Sequence, residues 1–178
     1  PLSPPRANDP YEMHWHSVPV AYLGVWDTVK AAGILRFGDL HWPYTHQLFN
    51  AAKIRHAISL DEYRRPYREY PCDPKHFGLD EAWFAGVHSD VGGTFPDDPR
   101  LAKIALKWML DGCAGDVLLR PDAYAEQCTV QHDFAEGKKH RMGWVWFLVG
   151  TRRRRLPDTA ALHSSVRERR AADPGYLP

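Results

Sequence analysis

Three titratable residues, Asp27, Asp61 and His88, each follow a short apolar run of the sequence. The run before His88 reads W-F-A-G-V (residues 83–87), which is typical of a short buried strand. The carboxyl ends of parallel strands meet at one edge of a sheet, where functional groups collect. A histidine at that edge can transfer protons, because imidazole titrates near neutrality. The alternative is a structural histidine at a strand end.

An aspartate that orients His88 would complete two parts of a nucleophilic relay. In α/β-hydrolases this relay runs serine, acid, histidine along the chain, and both Asp27 and Asp61 precede His88. The nucleophile motif G-x-S-x-G does not occur in the 178 residues. Two explanations stay open: the motif lies upstream of Pro1, or the protein is not a hydrolase.

Four residues after His88 are predicted to shape the same site. Ser89 follows His88 directly, and Asp90 is a candidate for capping the loop. Gly92 and Gly93 are predicted to permit a tight backbone through positive φ.

Hydrophobic patterning predicts the elements that position these residues. Strands are expected at residues 18–26, 56–60 and 82–87, with a short helix at 50–55. Apolar residues recur at helical spacing over 99–110, with Asp97 or Asp98 as cap and Gly112 as the end. Trp108 and Met109 are expected to face the core.

The order of these elements predicts an α/β fold. The sheet should be mostly parallel, with crossover helices between its strands. Three strands are few for a free-standing domain, so we expect an α/β-hydrolase-like fold of which only the C-terminal half of the sheet is present.

Composition predicts one ordinary globular domain, since 44% of the residues are hydrophobic and 25% charged. We expect a linker or arm at 1–17, the domain at 18–170 and a tail at 171–178. The Pro-rich opening without Met suggests a piece of a longer protein.

Charge gives little indication of a partner. The formal net charge of +1 provides no argument for nucleic acid. Basic residues cluster at 152–155, where a solvated face or terminal arm is the favoured interpretation. Contact with phospholipid headgroups or another acidic surface stays open. Oligomeric state is not indicated.

Cysteine and histidine spacing predicts neither disulfides nor a metal. The three cysteines lack a C-x-x-C pair. The pairs His14/His16 and His41/His46 have no third ligand at a recognisable spacing, and no cofactor is expected. Aromatic residues of one loop could line an acyl-chain cleft or simply pack: Trp42, Tyr44 and Phe49.

No secretory signal or membrane-spanning segment is recognisable in the sequence. The longest apolar run, residues 144–149, is far shorter than the ~20 residues a spanning helix needs. A soluble protein is expected, either cytoplasmic or exported by a non-classical system.

Five ordered blocks carry a resemblance to a known family. They read G-V-W-D-T-V (24–29), H-A-I-S-L-D-E-Y-R (56–64), W-F-A-G-V-H-S-D-V-G-G (83–93), I-A-L-K-W-M (104–109) and L-H-S-S-V-R (162–167). The chain resembles the uncharacterised α/β-hydrolase family that includes type VI secretion phospholipase effectors.

The resemblance implies a lipolytic serine hydrolase, a phospholipase or carboxylic-ester hydrolase, with a Ser-Asp-His triad. It assigns the acid to Asp27 and the base to His88. Asp61 stays the alternative acid, because many α/β-hydrolases place the acid on the penultimate strand; if Asp27 is the acid, residues 61–64 are expected to form an ion-paired structural turn or a cleft wall. The family's G-F-S-R-G-type nucleophile motif has no counterpart here, so the chain alone is expected to be inactive. The competing hypothesis is a non-catalytic binding or adaptor module with a hydrolase-like sheet.

Overall fold

The computed structural model describes residues 18–29, 50–176 and 178. Three parallel strands form one sheet in the order β1 (Val20–Trp26), β2 (Ala51–Ser59) and β3 (Leu79–Phe84). This mixed α/β architecture confirms the predicted fold class and fits part of an α/β-hydrolase-like sheet. Several residues named above lie outside the described part: the arm at 1–17, His41 and His46, and the loop residues Trp42, Tyr44 and Phe49.

The prediction of a helix at 50–55 is wrong, because these residues begin the central strand β2. Ala-Ala-Lys-Ile-Arg is a helix-favouring composition, but pairing on both sides overrides it. The two basic side chains of this stretch are partly exposed and form ion pairs: Lys53 pairs with Asp116 at 2.6 Å, and Arg55 pairs with Asp80 at 2.9 Å.

Strand β3 begins and ends earlier than predicted, so His88 does not sit directly at its end. Residues 85–87 form a turn, and His88 opens the short helix α1 (His88–Gly92). Gly86 makes the turn possible with a φ of 113°, a backbone conformation that favours glycine. A Cβ at this position would lie 2.5 Å from Cβ of Asp90.

Helices cover both faces of the sheet. The predicted helix is confirmed as α2 (Arg100–Gly112), and its buried Ile104, Ala105 and Met109 pack with Phe84 of β3. Trp108 is only partly buried against that cluster. On the opposite face, Val166 of α5 (Ser164–Ala172) packs with a second cluster that includes Trp83 and Tyr176. The alternation of Trp83 and Phe84 follows the two-residue period of a strand.

The remaining elements are short. Helix α3 is Pro121–Cys128, helix α4 is Trp146–Val149, and 3-10 turns span Arg65–Tyr67 and His132–Glu136. Backbone pairing ties the segment after α4 to the loop after β2, since Arg152 N–H donates to the Tyr63 carbonyl at 2.7 Å. All three cysteines are free thiols. Within the described residues, no helix has the length and apolar character needed to cross a bilayer.

Candidate active site

Asp27 occupies a constrained turn at the end of β1. Its φ is 44°, in the left-handed region that aspartate tolerates better than most residues. Its N–H donates to the Ala57 carbonyl at 2.7 Å, continuing the sheet. The N–H of Thr28 donates to Nε2 of the fully buried His56 at 3.1 Å. These bonds fix the backbone on both sides of Asp27.

The buried carboxylate of Asp27 accepts five hydrogen bonds. Ser59 donates its N–H at 2.8 Å and its hydroxyl at 2.9 Å. Arg154 donates to both oxygens, through Nη1 to Oδ1 and through Nη2 to Oδ2 at 3.0 Å, and His88 supplies the fifth bond. Burial alone would raise the pKa of Asp27, but the bonds from His88, Arg154 and Ser59 hold it below its usual value. Asp27 is therefore ionised at neutral pH.

His88 is paired with this carboxylate through one ring nitrogen. Its Nδ1 lies 2.7 Å from Oδ2 of Asp27. Because Asp27 is ionised, we assign the proton to Nδ1 as the donor, which leaves Nε2 as the basic nitrogen of the neutral ring. The His88 side chain is 30% exposed, and no group in residues 18–29 or 50–176 hydrogen-bonds its Nε2. A base with this arrangement can accept a proton from an incoming group.

The loop after β2 forms one wall around His88. The ring of Tyr67 meets the imidazole edge-on, with centroids 5.1 Å apart. The N–H of His88 donates to Oε2 of the buried Glu62 at 3.2 Å. Glu62 is also ion-paired with Arg64 at 2.8 Å, which is a structural pair inside the turn at residues 61–64.

Asp61 is not brought to His88. Its carboxylate accepts from Gly86 N–H at 2.7 Å, from the Lys139 ammonium at 2.9 Å and from the Tyr176 hydroxyl at 2.7 Å. Through these three hydrogen bonds, Asp61 links the turn before His88 to Lys139 and Tyr176 in the C-terminal part of the chain. No bond joins this carboxylate to the His88 ring among the described residues.

The four residues predicted to shape the site differ in what they do. Asp90 is buried and accepts the Val87 N–H at 2.9 Å, which closes the turn before His88. Gly93 has a φ of 83° and ends α1, with its N–H donating to the Ser89 carbonyl at 3.0 Å. Gly92 does not adopt positive φ, so the prediction is wrong for this residue, whereas Gly86 before His88 does adopt it.

The sequence interpretation missed His140. Its Nδ1 lies 2.5 Å from Oδ1 of Asp90, and its Nε2 lies 3.0 Å from Oδ1 of Asp97. Burial would lower the pKa of His140, but hydrogen bonds to the two carboxylates raise it above its usual value. Residues 138–141 carry no pattern that distinguishes this histidine, because both acids come from distant segments.

The sequence interpretation also missed Arg154. The favoured interpretation of residues 152–155, a solvated face or terminal arm, is wrong for this residue, whose side chain is 2% exposed. Besides Asp27, it donates to the carbonyls of Ser59 at 2.8 Å and Tyr67 at 2.7 Å. Its neighbours Arg153 and Arg155 are exposed.

One group of side chains has the composition of a metal site: His56, Cys72 and Glu81, whose ligand atoms lie within 4.8 Å of one another. Because Thr28 N–H donates to Nε2 of His56, the proton sits on Nδ1 and is donated to Glu81 at 2.9 Å. Burial raises the pKa of the Cys72 thiol to about 11. A metal would have to displace both protons, so hydrogen bonding accounts for this group as it stands.

A cleft of about 560 Å³ opens beside the pair. Asp27 and His88 do not line it, but Val87 and Glu62, which contact the backbone of His88, do. Its wall combines apolar and basic side chains, including Leu60, Tyr63, Phe147, Leu156, Lys139 and Arg152.

Fold and site together define an α/β protein with a histidine–carboxylate pair at the carboxyl edge of a parallel sheet. Residues 6–112 match the family described as the catalytic domain of Tle1-like phospholipase effectors of the type VI secretion system (T6SS). The match covers more than half of the chain, which therefore belongs to this family. It includes the three strands, Asp27, His88 and α2.

Membership in this family associates the chain with lipolytic hydrolysis and a lipid substrate. No curated protein matches the chain, and no solved structure matches it. Arg154 and His140 lie outside the matched residues.

Proposed function

We propose that this chain supplies the acid and the base of a Ser-Asp-His triad in a lipolytic serine hydrolase, a phospholipase or carboxylic-ester hydrolase. His88 is the base, Asp27 is the acid, and the serine is contributed by residues upstream of Pro1. The 2.7 Å contact between Nδ1 of His88 and Oδ2 of Asp27 carries the proposal. On this assignment residues 18–170 form the C-terminal part of an α/β-hydrolase-like domain.

The chemistry follows from the two nitrogens of His88. As the serine oxygen attacks the ester carbonyl carbon, its proton passes to Nε2. When the tetrahedral intermediate collapses, the bond to the leaving alcohol breaks and His88 returns that proton to the alcohol oxygen. In the second half-reaction His88 deprotonates a water, which attacks the acyl carbon. As the bond from this carbon to the serine oxygen breaks, His88 returns the proton to that oxygen and the acid is released.

Asp27 is the stronger candidate for the acid. It is hydrogen-bonded to Nδ1 of His88, where it would hold the tautomer and stabilise the imidazolium. Asp61 is occupied by Gly86, Lys139 and Tyr176 instead. Asp61 then acts on His88 only by holding the preceding turn.

Arg154 serves the same pair as a positioning residue. Its guanidinium spans both oxygens of Asp27 and two backbone carbonyls, so the carboxylate has one orientation. The positive charge also keeps Asp27 ionised despite its burial. The catalytic unit would therefore include the segment around residue 154, beyond the family match.

The first test is the coding sequence upstream of Pro1, where we expect G-x-S-x-G after an apolar strand. Its absence from the whole gene would rule out the hydrolase and favour the adaptor alternative. The second test treats the full-length protein with a fluorophosphonate that labels activated serines covalently. Labelling should disappear in His88→Ala and persist in His140→Gln, a histidine that the proposal leaves outside the chemistry.

A further inference from the structure

The segment around α4 presents an apolar surface flanked by arginines. Four large apolar side chains point to solvent: Trp144 is 73% exposed, Val145 54%, Phe147 64% and Leu148 78%. Arg152, Arg153 and Arg155 follow within a few residues and are exposed. We call these seven residues the apolar–basic surface. Contiguous exposed apolar groups of this kind mark interaction sites in soluble proteins.

The scaffold holds this surface in place. Trp146 turns inward between the exposed residues, with its ring 5.7 Å from that of Tyr67 and the Arg64 guanidinium 4.9 Å from its centroid. After the helix, Arg65 N–H donates to the Gly150 carbonyl at 3.1 Å. The apolar side chains are therefore displayed on an anchored turn.

The arginines of this surface have no acidic partner among the described residues. Arg152, Arg153 and Arg155 form no ion pair with any carboxylate in the described parts of the chain, whereas Arg154 between them is committed to Asp27. Apolar side chains beside exposed arginines match the boundary of an anionic bilayer, where acyl chains lie under phosphate groups.

The surface also adjoins the candidate site. Trp146 contacts Tyr67, and the Tyr67 ring in turn lies 5.1 Å from that of His88. Phe147 and Arg152 line the cleft of about 560 Å³ that Val87 and Glu62 also line. A lipid drawn from a bilayer at this surface would enter beside His88.

We propose that the apolar–basic surface is the face on which this protein docks to an anionic phospholipid bilayer. The proposal rests on the proposed function for its choice of a lipid partner. Docking itself requires no nucleophile, so it can be tested in the full-length protein separately from ester hydrolysis.

The test is cosedimentation of the full-length protein with vesicles of phosphatidylcholine alone or mixed with phosphatidylglycerol. We expect binding that rises with the phosphatidylglycerol content. Arg152→Gln/Arg153→Gln should weaken binding to the anionic vesicles about 30-fold, from about fivefold per arginine near a membrane surface. The matched control is Arg167→Gln/Arg170→Gln, two exposed arginines of α5, which should leave binding unchanged.

The apolar part has its own matched pair of variants. Phe147→Ser/Leu148→Ser should weaken binding to both vesicle types at least tenfold, because buried apolar area drives insertion. Phe77→Ser/Leu118→Ser removes two apolar side chains elsewhere that are even more exposed, and it should have no effect. All four variants change exposed residues, so their melting temperatures should match that of the wild-type chain.

The outcomes separate docking from catalysis. Equal binding by the surface and control variants, or no binding to anionic vesicles, would overturn the docking proposal. So would a loss of self-association, rather than of vesicle binding, in Phe147→Ser/Leu148→Ser, since the surface would then join copies of the chain. Unchanged vesicle binding in His88→Ala, together with a full-length protein that hydrolyses no ester, would overturn the proposed function and leave docking intact.

Discussion

His88 and His140 are both hydrogen-bonded through Nδ1 to a buried aspartate, but their second nitrogens differ. In His140, Nε2 is held by Asp97 at 3.0 Å, and the ring stacks on Phe95 with centroids 3.8 Å apart. In His88, Nε2 has no hydrogen-bond partner among the described residues, and the ring is partly exposed. A histidine with both nitrogens committed to carboxylates is a cross-link, whereas one with a free nitrogen can exchange protons.

The charged surroundings of the two histidines also differ. Asp27 is neutralised by Arg154, so the pair with His88 carries little net charge until the imidazole is protonated. Around His140, two carboxylates face one ring and favour its charged form. The first arrangement leaves one ring nitrogen of His88 open to an incoming group, and the second raises the pKa of His140.

The largest difference should appear when each histidine is replaced in the full-length protein. His88→Ala should lower ester hydrolysis by about 10⁴- to 10⁶-fold, the scale for removal of a triad base. His140→Gln should stay within tenfold of wild type. Initial rates on a soluble ester, with circular dichroism as the folding control, measure both. Equal losses would show that the comparison between the two histidines has no catalytic meaning.

Removal of Arg154 should come next in size. Arg154→Met leaves Asp27 buried without its cation, which should cost about 3 kcal/mol of unfolding free energy. Loss of the positive charge also favours the imidazolium form of His88, so the acid limb of the pH–rate profile should move to higher pH. Urea unfolding and the pH–rate profile measure the two effects.

Arg153→Met is the matched control for Arg154, because it removes an exposed arginine next in sequence. Its unfolding free energy should change by less than about 0.5 kcal/mol. If Arg154→Met lowers stability without moving the pH–rate profile, Arg154 is a structural residue and its positioning role is wrong.

His140 should give the smallest effect, and one that depends on pH. Its pKa is raised in the folded state above the ordinary 6.5, so the stabilisation is complete below that value and is lost as pH rises through the folded-state pKa. His140→Gln should therefore cost about 2 kcal/mol at pH 6 and progressively less at alkaline pH. Chemical unfolding of both proteins from pH 6 to pH 9 checks this; a gap that widens with pH would contradict the assigned charge state.

Much of the fold follows from local patterns in the sequence. Strand β1 and helix α2 were predictable, because the apolar run at 20–26 and the helical spacing at 101–109 express their own periods. The first half of β2 was not, since its composition favours a helix and only pairing with two neighbours makes it a strand. The end of β3 was displaced by the turn at Gly86.

The candidate site likewise contains a part that local patterns predict and a part that they do not. The proximity of Asp27 and His88 follows in part from the parallel sheet, because β1 and β3, which flank β2, have their carboxyl ends at the same edge. Arg154 lies 127 residues from Asp27 and looks like each of the arginines beside it. Which member of the run is buried depends on the pairing of residues 150–152 with the loop after β2, and no local pattern records that choice.

The most direct measurement compares the two candidate acids, Asp27 and Asp61, by removing each one together with its cationic partner in the full-length protein. Asp27→Asn/Arg154→Met and Asp61→Asn/Lys139→Met each remove a whole salt bridge, so neither leaves an uncompensated buried charge. With folding verified by thermal unfolding, phospholipid hydrolysis should fall about 10⁴-fold in the first variant. It should stay within tenfold of wild type in the second. Activity that survives the loss of Asp27 and disappears with Asp61 would contradict the assignment of the acid.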